Sequence, residues 1–309
     1  MKSLFYLGTK QLSCDDSIYS TTIENVRAMR EFEADKTTLC SSGQKQVNKT
    51  IDDYGKSGVN ARFVYDNQEK DLFIYGLEGL YEDKTQREEV QKYQTEIKTV
   101  TIYDDIKTIP KESFKGFSAM ERITFSSTVE TIETIETVDV FDECESLKEI
   151  VVDTNNNNYK SSNGALINQK DKTKITLMKY PVAKEGETYT IPNEVTVIGM
   201  RSFETSKNLK TMTIPTTITE IQDFAFRYCK SMTEFTVETG NSNYESKEGV
   251  LFNKLEGNKL KLIQYPLKRG QKKYQLPTET TEIEKYGFYG NYEVEYITFN
   301  DGLTTINEN

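Results

Sequence analysis

The side chains that most often do chemistry are either missing from this sequence or wrongly spaced. Of its 309 residues none is His and none is Trp, which removes the usual general base near neutral pH and the commonest metal ligand. Serine triads, cysteine–histidine dyads and histidine metal sites are thereby excluded. The four cysteines, Cys14, Cys40, Cys144 and Cys229, form no C-x-x-C pair, so a zinc ribbon and a thioredoxin-type couple are excluded too. Carboxylates are adjacent at Asp104-Asp105 and close at Glu143 and Glu145. In so acidic a chain, adjacency makes no acid–base pair without a pocket that separates the two pKa values. No P-loop, G-x-G-x-x-G or EF-hand string is present. The expectation is a chain with no catalytic residues, no cofactor and no metal.

Lys and Arg number 39 against 49 Asp and Glu, a formal net charge of −10. The basic footprint that nucleic acid requires is therefore missing. Hydrophobic residues make up 36% and the mean hydropathy is −0.65, a balance that suits an elongated body with a thin core. No run approaches the roughly 20 apolar residues of a spanning helix. The apolar stretch within Met1 to Gly8 is too short for a signal-peptide core. Taken literally, the chain reads as soluble and non-secreted.

The elements that must position any functional surface are repeats. Residues 191–215 and 214–238 align with Ile198 on Ile221, Phe203 on Phe226, Leu209 on Met232 and Met212 on Phe235, each pair 23 apart. The same frame returns as Ile283, Phe288, Val294, Ile297 and Phe299, and as Ile109, Phe114, Met120, Ile123 and Phe125. The unit at 126–152 keeps Val129, Ile132, Phe141, Leu147, Ile150 and Val152, with four extra residues in its ETIETIET stretch. A longer period of 85 relates Gly164 to Gly249, Tyr180 to Tyr265, Phe203 to Phe288 and Cys144 to Cys229. It arises because segments 153–191 and 238–276 are inserted between short repeats, carrying GALIN or GVLFN and then ITLMKYP or LKLIQYP. Apolar runs bounded by Gly, Asn and Lys turns predict hairpin strands there, not a helix.

In KTMTIP, Met212 and Ile214 alternate with Thr211 and Thr213, the period-2 pattern of a half-buried strand, and the Pro that follows marks its end. One such unit cannot bury its apolar side alone. Stacking at the strand spacing of ~4.8 Å makes a continuous core, so a solenoid is predicted. Phe114, Phe141, Phe203, Phe226 and Phe288 are its expected internal column. Facing out, Thr124, Thr213, Thr236 and Thr298, with Val151 as the exception, form a ladder beside Arg122, Glu149, Thr211, Glu234 and Tyr296. These residues are the candidate binding face, as solenoid faces commonly supply. Thr also simply suits an exposed pleated strand.

The unit standing as Ile191 to Ile214 and the FAFRYCKSM stretch at 224–232 resemble the leucine-rich repeats of BspA-like proteins. NSNYESKEGVLFNK with LIQYP is similar to that family's inserted hairpin units. The fold implied is an α/β leucine-rich-repeat solenoid, β-rich, with inserted β-hairpin units and a β-rich N-terminal segment. Residues 99–309 carry the resemblance, 46–98 look like the β-rich segment that precedes such repeats, and 1–45 are similar to a partial repeat of a preceding array. The chain then begins inside one array and stops inside another, with no polar cap in view. The resemblance implies a cell-surface or secreted adhesin or surface antigen that binds a host or extracellular-matrix protein. An intracellular, cytoplasmic scaffold of the same architecture is the alternative, and an enzyme is a third class that needs a deep polar pocket.

Cys144 and Cys229 occupy one slot in repeats too far apart for a disulfide and read as buried apolar thiols. Spacing leaves open whether Cys14 and Cys40 pair. The Asn48-Lys49-Thr50 sequon reads as a chance occurrence, and Asn155 to Asn158 as a loop. Lys254, Lys259, Lys261, Lys268, Arg269, Lys272 and Lys273 cluster in the second insert. They read as guards of a strand edge or as a site for an acidic partner or sulfated sugar.

Overall fold

The computed structural model describes residues 53–56, 61–66, 68–76, 78–79, 90–103, 106–133 and 139–307. Cys14, Cys40, the Asn48 sequon, Asp104-Asp105 and the end of the ETIETIET stretch lie outside the described residues. The chain divides into two compact units, one ending at Cys144 and including Asp153–Asn156, the other made of Glu145–Val152 and Asn157–Asn309.

In the first unit β1 (Asp53–Lys56), β2 (Ala61–Asp66) and β3 (Asp71–Gly76) form an antiparallel meander. Strand β4 is Glu78–Gly79. From β5 (Thr99–Ile102) onward the pairing is parallel: β3 pairs with β5, and β5 with β7 (Arg122–Phe125). A second parallel row joins β4, β6 (Ile106–Ile109) and β8 (Thr131–Ile132). Each coil thus gives one strand to each of two sheets.

The second unit repeats the scheme. Strand β9 (Glu149–Val152) leads to a meander of β10 (Tyr159–Ser162), β11 (Ala165–Asn168) and β12 (Thr176–Lys179). Strand β12 is joined in parallel to β14 (Val197–Ile198), and β14 to β16 (Glu220–Ile221). The facing row is β13 (Thr188–Thr190), β15 (Thr211–Ile214) and β17 (Glu234–Val237). The second insert repeats the meander as β18 (Tyr244–Lys247), β19 (Val250–Leu255) and β20 (Lys259–Gln264), which continues to β22 (Thr280–Ile283) and β24 (Thr305–Ile306). Strand β21 (Lys273–Gln275) pairs with β23 (Tyr296–Thr298). Both inserts are strands, as their patterning requires.

Between residues 99 and 307 no described residue is α-helical, so the α component of the expected class is absent from these coils. The reason is where the turn N–H groups go. Phe203 N–H donates to Ala225 O and Thr205 N–H to Arg227 O, both at 2.9 Å, one coil further along. Arg201 and Thr205 hold left-handed backbone at φ 55° and 61°, which interrupts helix propagation.

The apolar column sits inside these coils. Phe114 and Phe141 stack at 6.3 Å in the first unit. In the second, Tyr180 stacks on Phe203 at 5.2 Å, and Phe203 meets Phe226 at 5.7 Å. Phe114, Phe141, Phe203 and Phe226 are buried, whereas Phe288 is only partly buried and lies against Tyr265 at 5.2 Å. The insert tyrosines take plug positions: Tyr180, Tyr189 and Phe203 form a triad that Tyr265, Tyr274 and Phe288 reproduce one long period later.

Asparagine holds the corners. Asn241 is buried; its Nδ2 donates to Pro215 O and Ile218 O at 2.8 and 3.1 Å, while its Oδ1 accepts from the N–H groups of Asn243 and Tyr244 at 2.8 Å. Asn156, at the equivalent position one long period before it, donates to Ser126 O and Val129 O at 2.9 and 3.0 Å. Asn300 repeats the device on Pro277 O and Thr280 O. Cys144 and Cys229 are buried thiols without a disulfide, donating to Phe114 O and Phe203 O at 3.0 and 3.1 Å.

Three stability outcomes follow from this packing. Phe203→Ala is expected to cost about 3–5 kcal/mol through lost burial and a cavity, and outward Thr213→Ala no more than about 0.5. Equal shifts in denaturation midpoint contradict the inward and outward assignment. Within the Asn155–Asn158 tract, Asn156→Ala should cost about 2–4 kcal/mol by orphaning two carbonyls, and exposed Asn157→Ala should leave the midpoint in place. Burial pushes the Cys229 thiol from 9.0 to about 12 and the Tyr180 phenol from 10.0 to about 12. The folded chain therefore keeps these protons longer than the unfolded one. Their contribution is full below about pH 9 and is lost as pH rises through about 12. A thermal midpoint that does not fall over that window contradicts it.

Candidate binding surface

Strict alternation fixes which side chains leave the coil. In the row β13, β15 and β17, Tyr189, Met212 and Phe235 lie in register and are buried. Their neighbours face out as two lines: Thr188, Thr211 and Glu234, then Thr190, Thr213 and Thr236. Thr211 and Thr213 are half-buried by the lines beside them, while Thr188, Thr190, Glu234 and Thr236 are exposed. The result is a flat polar patch of hydroxyls and one carboxylate, with neighbouring strands at the usual ~4.8 Å.

The nine residues of the expected face are spread over separate rows. Thr211, Thr213, Glu234 and Thr236 share the patch just described. Tyr296 and Thr298 are on β23, opposite Lys273 and Gln275 of β21. Both are exposed, Tyr296 at 62%, with Lys273 Nζ 5.7 Å from its ring. Arg122 and Thr124 belong to the first unit, opposite Thr99 and Thr101. Glu149 is half-buried on β9.

The inserts interrupt the ladder. At the far edge of β17, Phe235 N–H donates to Gly249 O at 2.9 Å and Val237 N–H to Ser246 Oγ at 3.1 Å. On β9, the equivalent strand of the preceding long period, Ile150 and Val152 donate to Gly164 O and Ser161 Oγ. A hairpin tip therefore closes the strand edge that the next coil would otherwise take. Gly249 has φ 79°, and a Cβ there would stand 2.9 Å from Glu234 Cγ, so this tip requires glycine.

Thr188, Thr190, Lys273 and Gln275 belong to the face although the repeat frame does not single them out. They lie on the inserts' last strands, and the signal for them is the alternation around Tyr189 and Tyr274, one long period apart.

The basic cluster of the second insert is largely neutralised in place. Lys261 pairs with Glu284, Lys268 with Glu293, Arg269 with Glu248 and Lys272 with Glu295, at 2.5–3.1 Å. Lys259 and Lys261 sit on β20, which has a partner strand on both sides, so they guard no edge. Among the described residues no group of three or more His, Cys, Asp or Glu side chains is arranged to hold a metal ion. Among them, too, no helix is long and apolar enough to cross a membrane. The arrangement offers hydrogen-bonding rows on a rigid sheet, a chemistry suited to contact with another surface.

Comparison with known proteins agrees with this architecture. Residues 88–179, 183–263 and 268–309 match the BspA type leucine rich repeat region, in six copies. A leucine-rich repeat protein from Eubacterium ventriosum has the same fold, with a TM-score of 0.52 and 21% identity over 82% of this chain and 61% of that one. A leucine rich cell surface protein from Faecalibacterium prausnitzii gives 0.51 and 18% over 81% of this chain and 71% of its own. The chain thus spans about three fifths of the Eubacterium protein's length. Among curated proteins no sequence matches. With its repeats matched over more than half its length, the chain belongs to the BspA type leucine rich repeat family.

Proposed function

We propose that this chain is a non-catalytic, protein-binding solenoid that acts as a cell-surface adhesin or surface antigen. The observation that carries the reading is the patch on β13, β15 and β17: two in-register outward lines on a strand row whose far edge a hairpin tip has closed. A closed edge does not add a strand, so a partner must meet the face through side chains. Family membership and the Faecalibacterium relative, whose name places that protein at the cell surface, support the surface location. The partner is a protein of the host or its extracellular matrix, held by many weak contacts spread over the rows.

Two measurements test this. An antibody to residues 238–276 should stain intact, unpermeabilised source cells; staining that needs permeabilisation instead favours a cytoplasmic scaffold. Purified chain should bind immobilised extracellular-matrix protein, and Thr213→Arg with Glu234→Arg should weaken that binding at least about tenfold, the loss of roughly 1.4 kcal/mol. The thermal midpoint should stay within about 2 °C, because both side chains point away from the core. Unchanged binding by the double variant moves the contact off this face.

A further inference from the structure

Where the second insert separates two short repeats, the turns that follow β16 and β22 leave a cleft between them. Its cavity of about 110 Å³ opens to solvent and is lined by Gln222, Asp223, Phe224, Gln264, Tyr286 and Tyr289 among others. Sites for drug-sized ligands run to roughly 300–1,000 Å³, so this one suits a single ring laid against a wall.

Its aromatic residues stand where the backbone does not favour them. Phe224 and Tyr286 are left-handed at φ 58° and 69°. They occupy the slot that Arg201 holds, Phe224 one short period beyond it and Tyr286 one long period beyond it. At this step of the coil Arg201 itself has φ 55°. A bulky ring is an unfavourable choice for that conformation, and strain of this kind concentrates at functional positions. Neither ring enters the core: both are half-buried and meet at 4.7 Å. Tyr286 stands edge-on to Tyr289 at 5.4 Å. Tyr228 joins Tyr289 through hydroxyls 2.9 Å apart, so three tyrosines and a phenylalanine form one wall.

Two of the charges around this wall are held in internal ion pairs. The Arg227 guanidinium backs Tyr228 and Phe224 at 4.7 and 5.4 Å and pairs with Glu204 at 3.5 Å. Glu284 pairs with Lys261, and Lys285 covers Tyr286 at 5.0 Å. Asp223 is exposed at the rim. Gln264, in the lining, donates its amide N–H to Tyr265 O and Gly287 O. An extended peptide is poorly served, because the Ile221 N–H at the edge of β16 already donates to the Tyr244 hydroxyl at 2.9 Å.

We propose that this cleft binds a neutral saccharide ring, its C–H face stacked on Phe224, Tyr286 and Tyr289 and its hydroxyls held by Asp223, Gln222 and Gln264. A neutral polyol leaves the Arg227–Glu204 and Lys261–Glu284 pairs intact and draws on the hydrogen-bonding groups of the lining. The site is separate from the outward face of β13, β15 and β17, and neither assignment depends on the other.

The test uses saturation-transfer NMR with cellohexaose, maltohexaose and N-acetylchitohexaose as probes. Transfer is expected from the aromatic protons to the ring protons of at least one probe. Phe224→Gly and Tyr286→Gly should each weaken that probe's binding at least tenfold while keeping or raising the thermal midpoint, because glycine accepts positive φ. No transfer to any of the three probes, or binding unchanged in both variants, overturns the assignment. If a glycine variant lowers the midpoint by more than about 5 °C, Asp223→Ala decides. A tenfold loss of affinity there upholds the site, and full affinity identifies the aromatic wall as a clasp between coils.

Discussion

Everything in this molecule depends on the coil-to-coil hydrogen bond. Within a short repeat the backbone closes only tight turns, such as Ser202 N–H on Gly199 O and Glu204 N–H on Arg201 O, and its strands must bond elsewhere. Lys210 N–H donates to Glu187 O, Thr233 N–H to Lys210 O, Thr219 N–H to Thr196 O and Glu238 N–H to Ile214 O, at 2.7–2.9 Å, always one coil away. Alternate turn residues do the same: Arg201, Phe203 and Thr205 donate to Asp223 O, Ala225 O and Arg227 O of the neighbouring coil. Because a buried unpaired peptide group costs more than a formed hydrogen bond returns, register between coils is fixed as tightly as within a strand. The inward aromatic column follows from that register, and so do the outward lines.

The inserts are best understood as replacements for a coil. Each meander sends its last long strand, β12 or β20, into one row and its final short strand, β13 or β21, into the other. Each also supplies a plug, Tyr180 or Tyr265, in the place a repeat fills with Phe. The two triads agree closely, with Tyr–Tyr separations of 4.9 Å and Tyr–Phe separations of 5.2 Å in both. Such agreement at sites one period apart is what interior packing demands, since a core tolerates little change in volume. Burial raises the phenol pKa of Tyr180, Tyr189 and Tyr274 for the same reason.

Much of this was legible from spacing. The short and long periods located Phe114, Phe141, Phe203 and Phe226, and alternation separated Met212 from Thr213. Three things escaped. Asn156 was one of four consecutive asparagines, and only stacking shows that its partners are carbonyls 27 and 30 residues back. Tyr180 was matched to Tyr265 by the long period, but nothing local distinguishes a plug from a strand residue. The outward ladder looked continuous, because a hairpin tip that takes the strand edge leaves no trace in the strand it covers. Each gap concerns a partner supplied by another coil, which periodicity implies without naming.

The hairpin tip at Gly249 also bears on how such a chain grows. A parallel row left open must find a matching neighbour, so an array of bare coils cannot be lengthened without a compatible surface at the junction. A module that ends its own row on a tip, and starts the next row from its own final strand, carries both halves of the junction with it. Tandem duplication of one long period then yields a register-compatible copy at once. The side chains on its face are freed to diverge, and such a lineage can vary its outer surface without renegotiating its scaffold.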